Sequence, residues 1–250
     1  MINALILAGA KKIGPLEIAE KVDNKALIMI DDKPIIAYIV DALNNSENID
    51  KILVVGPKHE LYPYIGKKVE AILNPGSSIL ENMESGLNYF NSDDNLLILT
   101  SDIPLITPEA IDEFLKICTK RKLSIGYPII TKENITKKYP ETERTYVKMK
   151  EGTFCGGNIV FFKPEVFFQN KELIQELFNN RKNNLKNAKI LGLKCILKFL
   201  FKTLTLEDAE KRVTDIIGYD SGAVMVSYPE VMIDLDKLSD LKLIRNRLER

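Results

Sequence analysis

Asp102, Asp234, Asp236 and Lys25 each stand where a short apolar run begins or ends, which is where a charged group can work beside a buried framework. Asp102 follows the run Leu96–Thr100 and is held by Ile103-Pro104. A carboxylate in that place is a magnesium-type ligand, because magnesium takes oxygen donors and is usually held by one or two carboxylates plus substrate phosphates. A turn or helix-capping aspartate is the plainer alternative. Asp234 and Asp236 close a second apolar run and lie two apart, so an extended chain turns both to one side. A polar strand end before the last helix explains the same pair. Lys25 opens an apolar run after a polar loop, where its amine would neutralise charge on a transferring phosphate. Arg144 and Lys148 are further candidates for holding an anionic acceptor. His59, the single histidine, lies between Lys58 and Glu60, and no histidine triad or zinc site can be built on it.

The second chemical feature is the opening stretch. Residues 2 to 8 form an apolar run suited to a strand buried on both faces. It runs into Gly9, then Ala10, Lys11 and Lys12, and reaches a second glycine at Gly14. A buried strand opening into a glycine turn presents backbone N–H groups that can hold phosphate. A plain strand-to-loop turn needs a glycine as often. Two familiar motifs are excluded by spacing. A Walker loop requires Lys-Ser/Thr after its last glycine, whereas Gly14 precedes Pro15-Leu16; a dinucleotide fingerprint requires glycine at position 11, which is lysine.

These groups must be positioned by an alternating α/β framework. Residues 14 to 24 read as an exposed loop, Asp31-Asp32-Lys33 as a turn, and Pro34 as the start of a helix carrying Ile35, Ile36, Ile39, Val40 and Leu43. Strands are expected over 51–55 and 69–73. A helix with Ile79, Met83, Leu87 and Phe90 on one face is announced by Ser78 with Glu81 three residues on. The strand 96–100 leads to Asp102, and Thr107-Pro108 starts the next helix. The alternation predicts a mostly parallel sheet with right-handed crossovers, whose ligands sit outside the carboxyl ends of the strands.

The later half is less regular. Residues 124 to 130 read as a strand and 131 to 145 as a polar loop, with 146–149 and 158–162 expected to pair as antiparallel strands. Helices are expected at 164–168 and 172–178. Another spans 193–204, with Lys194, Lys198 and Lys202 repeating opposite its apolar side. That helix suits core packing, a homodimer contact, or docking on a membrane surface. Thr205 with Asp208 caps a helix that Gly218 ends, 231–235 is a short apolar run, and the chain closes on a charged helix from Ser239.

The chain has 250 residues, long enough for a single large α/β domain covering 1–250: a first half to about residue 125 and a second from about 126. Lys plus Arg number 35 and Asp plus Glu 35, so no net field favours nucleic acid or anionic lipid. Cys118, Cys155 and Cys195 are scattered and odd in number, which fits a reducing cytoplasm better than a disulfide framework. No apolar run approaches the ~20 residues of a membrane span. A cytoplasmic protein is expected.

The segments Leu7-Ala-Gly-Ala10, Lys25-Ala-Leu27, Asp32-Lys-Pro-Ile35, Leu99-Thr-Ser-Asp-Ile-Pro104, Gly156-Gly-Asn158 and Asp234-Leu-Asp-Lys-Leu-Ser-Asp240 follow in one order. In that order the chain resembles the nucleotidyltransferases, the molybdenum cofactor guanylyltransferase-like group above all. Residues 75–87 resemble the base-side segment of the sugar-phosphate and isoprenoid cytidylyltransferases. The resemblance implies the nucleotide-diphospho-sugar transferase fold, a Rossmann-like three-layer sandwich with a mostly parallel central sheet. It implies magnesium-dependent transfer of a nucleoside monophosphate from GTP or CTP to a phosphorylated small-molecule acceptor, with pyrophosphate released. Carried over, Leu7, Ala8, Gly9 and Ala10 bracket the nucleotide and Lys25 touches its phosphates. Ser77, Ser78 and Asn82 lie near base or ribose, Asn158 beside the acceptor, and Asp102 with Asp236 and Asp234 at the metal. The chain departs from the pattern at Ala10, where glycine is usual, and in having no arginine in the loop before Lys25. Two other readings compete. A nucleotide-sugar glycosyltransferase usually carries Asp-x-Asp where Pro104 stands, and a nucleotide-binding regulator without turnover would suit the altered opening loop.

Overall fold

A computed structural model describes residues 1–9, 14–90, 94–179 and 192–249 of the chain. The strands in chain order are β1 (Ile2–Leu7), β2 (Met29–Ile30), β3 (Lys33–Pro34), β4 (Ile49–Val55), β5 (Ala71–Leu73), β6 (Leu96–Thr100), β7 (Ile125–Thr131), β8 (Val147–Lys148), β9 (Thr153–Gly156), β10 (Ile159–Phe162) and β11 (Ser221–Met225). The helices are α1 (Pro15–Glu20), α2 (Ile35–Asn44), α3 (Lys58–Ile65), α4 (Ile79–Leu87), α5 (Pro108–Lys120), α6 (Lys132–Lys138), α7 (Pro164–Gln169), α8 (Lys171–Asn179), α9 (Leu193–Leu200), α10 (Leu206–Ile217) and α11 (Leu238–Leu248). None is long and apolar enough to cross a membrane.

Among the described residues the main sheet has 9 strands in the order β5-β4-β1-β6-β10-β7-β9-β8, with β11 paired to β7 off that path. Neighbours from β5 to β6 are parallel, and so are β7 and β11. β10 enters antiparallel between β6 and β7, and the sheet thus passes from the first half of the chain into the second. Alternating side chains send the two faces into different cores. Ala4 and Ile6 of β1 pack with Ile36, Val40, Ile111 and Phe114 from α2 and α5, while Leu5 packs with Met83, Leu87 and Phe167 from α4 and α7. The result is the expected three-layer α/β sandwich. α4 sits close on β1 because Gly86 faces it; a Cβ there would lie 2.4 Å from Leu5 Cδ1. A smaller cluster of Leu16, Ile28, Ile30, Ile233, Leu235, Leu241 and Ile244 ties the chain before β2 to the C-terminal segment.

The structure corrects several expectations. Residues 14–24 are not all loop: Pro15 opens α1, Glu17 accepts from the Gly14 N–H at 2.9 Å, and Leu16 is buried, in a helix too short to show a period. The stretch 131–145 contains α6, capped by Thr131 and anchored by Ile135 alone as its buried side chain, so polarity hid it. β8 pairs with β9 rather than with 158–162, because the intervening Thr153–Gly156 is itself a strand, while β10 goes to β6 and β7. The helix expected to reach 204 ends at Leu200, and Lys202 adopts a left-handed φ of 58°. The apolar run 231–235 begins in a 3-10 turn, Pro229–Met232, and is in no sheet. Ala10, Lys11 and Lys12, expected beside the phosphates, lie outside the described residues, as does the side chain of Lys194.

Asp112 on α5 fastens the turn after α2. Its carboxylate accepts from Ser46 Oγ at 2.6 Å, Asn48 Nδ2 at 2.8 Å and the Glu47 N–H at 3.2 Å. Burial pushes its pKa up, but these donors outweigh that and hold it below the ordinary aspartate value. A depressed folded pKa contributes stability above the unfolded value of about 3.9 and loses it as pH falls through the folded one. Asp112→Ala should therefore cost about 1–3 kcal/mol at neutral pH. Denaturant titrations should show that gap narrowing on acidification below about pH 4.

Candidate active site

Leu7 pairs with Thr100 in the parallel β1–β6 register. Gly9 and Asp102, each two residues further on, therefore leave the same carboxyl edge on adjacent strands. This is the rim where an open parallel sheet binds its ligands. Asn158 joins them from the antiparallel side: Thr100 N–H donates to its carbonyl at 3.2 Å, and its own N–H donates to Val231 O at 3.2 Å.

Lys25 occupies a 3-10 turn, Lys25–Leu27, that starts on Asn24. The buried Asn24 amide donates to Ala8 O at 2.7 Å and accepts from the Ala26 N–H at 2.8 Å. One side chain thus locks Ala8, just past β1, to the turn that carries Lys25. Lys25 Nζ then donates to Asp102 Oδ2 at 3.0 Å and Asp236 Oδ1 at 2.9 Å. Burial works against its charge, but the two carboxylates prevail and keep the ammonium protonated well above the usual lysine range.

The C-terminal segment is brought in by its backbone. Leu235 N–H donates to Asp102 O at 2.8 Å, and the N–H groups of Asp236 and Lys237 donate to Asp240 Oδ2 at 3.1 and 2.9 Å. Arg144, buried, grips the Asp234 carboxylate, donates to its carbonyl at 3.2 Å and stands 3.6 Å from Asp240. Asp102, Asp234 and Asp236 each offer an oxygen within 4.8 Å of the others. Burial pushes the Asp234 carboxyl up against the pull of Arg144, with the Asp236 and Asp102 charges adding to the rise. Asp236, also pushed up by burial, is brought below the ordinary value by Lys25. Asp102 Oδ1 is buried with no hydrogen-bond partner among the described residues. Three converging carboxylates, one with an orphaned buried oxygen, form a donor set that fits a magnesium ion.

On the other side of Gly9 the fit is close. A Cβ there would meet Asn82 Nδ2 at 2.3 Å and Pro75 Cβ at 2.8 Å. Asn82 is buried and accepts from the Gly76 N–H at 2.7 Å, and Ser78 Oγ caps α4 by accepting from Glu81 N–H at 3.1 Å. The Glu81 carboxylate takes the Ser77 N–H at 2.7 Å and hydroxyl at 2.6 Å. Ser77, Ser78 and Asn82 therefore shape the loop 74–78 without lining the cavity of about 630 Å³ beside it, which that loop reaches through Pro75 and which Gly9, Val22, Asn24 and Tyr64 also line. A larger groove of about 1110 Å³ opens past the carboxylates, with Asn158, Arg144, Asp234 and Asp236 at one end. Val147 and Met149 line it, so Lys148 between them faces the other way and is exposed. Arg144 is at the groove but committed to Asp234. Sequence reasoning missed Asn24 and Asp240 as positioning groups. Asn24 could have been read as a capping residue directly before Lys25, and Asp240 as the acidic first-turn residue of the last helix.

The family model for the MobA-like NTP transferase domain matches residues 4–185. A 2-C-methyl-D-erythritol 4-phosphate cytidylyltransferase from Clostridium acetobutylicum is 30% identical over 105 residues, 39% of this chain and 46% of that protein. A ribitol-5-phosphate cytidylyltransferase from Lacticaseibacillus paracasei is 24% identical over 166 residues, 61% of this chain and 64% of that protein. The chain thus spans about half to two thirds of these curated relatives. A solved structure described as a hypothetical transferase from Thermus thermophilus superposes with a TM-score of 0.84 at 29% identity, over 96% of this chain and 99% of the other.

Gly9→Ala should lower stability by about 1–3 kcal/mol through the clash with Asn82 and Pro75. Calorimetric melts of the variant beside the parent would measure it.

Proposed function

We propose that this chain, which belongs to the MobA-like NTP transferase domain family, is a magnesium-dependent nucleotidyltransferase that moves a nucleoside monophosphate from a triphosphate to a phosphorylated small molecule and releases pyrophosphate. The observation that carries this reading is Lys25 Nζ bridging Asp102 and Asp236 at the rim where Gly9 emerges. The amine and carboxylates come from three distant parts of the chain, and a surface ion pair needs no such convergence.

In the reaction an oxygen of the acceptor phosphate forms a bond to the α-phosphorus. The bond from that phosphorus to the α–β bridging oxygen breaks, and pyrophosphate leaves with the electron pair. A phosphate monoester with its second pKa near about 6 is already ionised at neutral pH, so no general base is required. That agrees with a site built of lysine and carboxylates. The protein's work is alignment and charge neutralisation. Asp102 and Asp236, with Asp234 beside them, would hold the magnesium ion, which supplies positive charge to the phosphate oxygens. Lys25 adds a fixed positive charge at the same place. Gly9 lies at the same rim beside the phosphates, the cavity lined by Gly9, Asn24 and Pro75 takes base and ribose, and Asn158 faces the acceptor. Relatives whose names specify cytidylyl transfer to polyol phosphates make CTP the first triphosphate to test, with GTP second.

Pyrophosphate release with Lys25→Met and with Asp102→Asn should each fall by about 10²–10³-fold, the loss typical of one preorganised charge-stabilising group. An undiminished rate in Asp102→Asn would remove that residue from the mechanism. Triphosphate binding without turnover across a broad acceptor panel would favour the regulator instead.

A further inference from the structure

We propose that the acceptor carries its phosphate on a long hydrocarbon tail, and that the tail lies in the groove that β7, β8 and β9 form with α9 and α10. This deepens the transferase reading above and rests on it. The groove, about 1110 Å³, exceeds the ~300–1,000 Å³ of ordinary small-molecule pockets. Its polar end is the candidate active site, where Glu143, Arg144, Thr145, Asn158, Asp236 and Lys237 line it. Away from that end the lining is hydrocarbon, with Ile129, Phe154, Ile196, Phe199, Leu200 and Leu204 among it, broken by the Tyr127 hydroxyl and the thiols of Cys155 and Cys195.

A polyol chain laid there would bury hydroxyls with too few partners, and each unpaired one weakens binding. An alkyl or isoprenoid chain has no such requirement and gains from every methylene removed from water. The surface outside supports the same class. Phe199 and Leu200 line the groove and are also 45% and 66% exposed, and Phe201 beyond them is 75% exposed. The apolar lining therefore continues out of the mouth, as a ligand longer than the groove requires. Lys198 does not interrupt it, being paired to Asp208 at 2.6 Å.

The test is calorimetric titration of the intact chain with n-alkyl phosphates from hexyl to dodecyl, below their micelle concentrations, beside ribitol 5-phosphate. Affinity should rise about fourfold per added methylene until the groove is full, the factor equivalent to about 0.8 kcal/mol. Ribitol 5-phosphate should bind more weakly than the longer chains. Leu200→Glu should weaken dodecyl phosphate at least tenfold, with less effect on hexyl phosphate, and a thermal melt would verify that the variant is folded. A flat series, or ribitol 5-phosphate binding as tightly as dodecyl phosphate, would overturn the proposal. Pyrophosphate release in the same samples separates the two readings. Length-dependent binding without release for any triphosphate would leave the tail groove standing and remove the transferase. Release with ribitol 5-phosphate and no binding of alkyl phosphates would do the reverse. Farnesyl phosphate offered free and in phosphatidylcholine vesicles distinguishes a dissolved acceptor from one held in a bilayer; turnover in either form supports the proposal.

Discussion

The register from Asn3 against Leu96 to Leu7 against Thr100 holds β1 and β6 side by side in parallel, and the candidate site depends on it. Each strand is apolar on both faces, so a slip by one residue would exchange the sides on which Leu5 and Ile6 are buried. Because the two cores differ in shape, that slip is resisted along the whole strand. The alignment delivers Gly9 and Asp102 to one edge from positions 93 residues apart. Asn24, Asn158 and Leu235 are hung from that alignment by hydrogen bonds to the backbone of Ala8, Thr100 and Asp102.

The charged groups form two linked sets. Lys25 joins Asp102 to Asp236, while Arg144 joins Asp234 to Asp240. Buried or half-buried ion pairs carry a desolvation cost that their attraction does not always repay. A structure that retains several at one place has a use for the charge. The two cations leave the carboxylates in excess; burial is the main cause of the upward displacement of the Asp234 pKa, and the Asp236 and Asp102 charges add to it. A divalent cation would offset that excess. The apolar cluster of Leu16, Ile28, Ile233 and Leu235 carries the segments that bear these groups.

Much of this could be read along the chain, and the parts that could not share a cause. β1 and β6 and the Ile52–Val55 half of β4 are largely apolar, and α2 and α5 have broad apolar faces, so the pattern of apolar residues reveals them. Asp102 stood out because a carboxylate follows a buried run. α6 did not, since one buried side chain in seven residues leaves no pattern. β9 was hidden by its length of four residues and its neighbouring glycines, and with it the pairing of β8 was misassigned. The groove roofed by α9 was beyond reach for a different reason. Its apolar residues have the same spacing whether they pack against a core or face a space, and only the fold distinguishes the two. Arg144 belonged to a polar stretch, and nothing local showed that it would be buried against Asp234.

Gly86 makes no contact with any group proposed to do chemistry, yet it sets the gap between a helix and the sheet beneath it. α4 rests on Leu5 through a hydrogen atom where any other residue would place a carbon. The same helix carries Asn82 one turn earlier, and Asn82 closes over Gly9 and Gly76. A single methyl at position 86 would force either the Leu5 side chain or the helix to shift, and a shift of the helix would carry Asn82 with it. The spacing on that side of the cleft is thus set in part from beneath, at a buried residue.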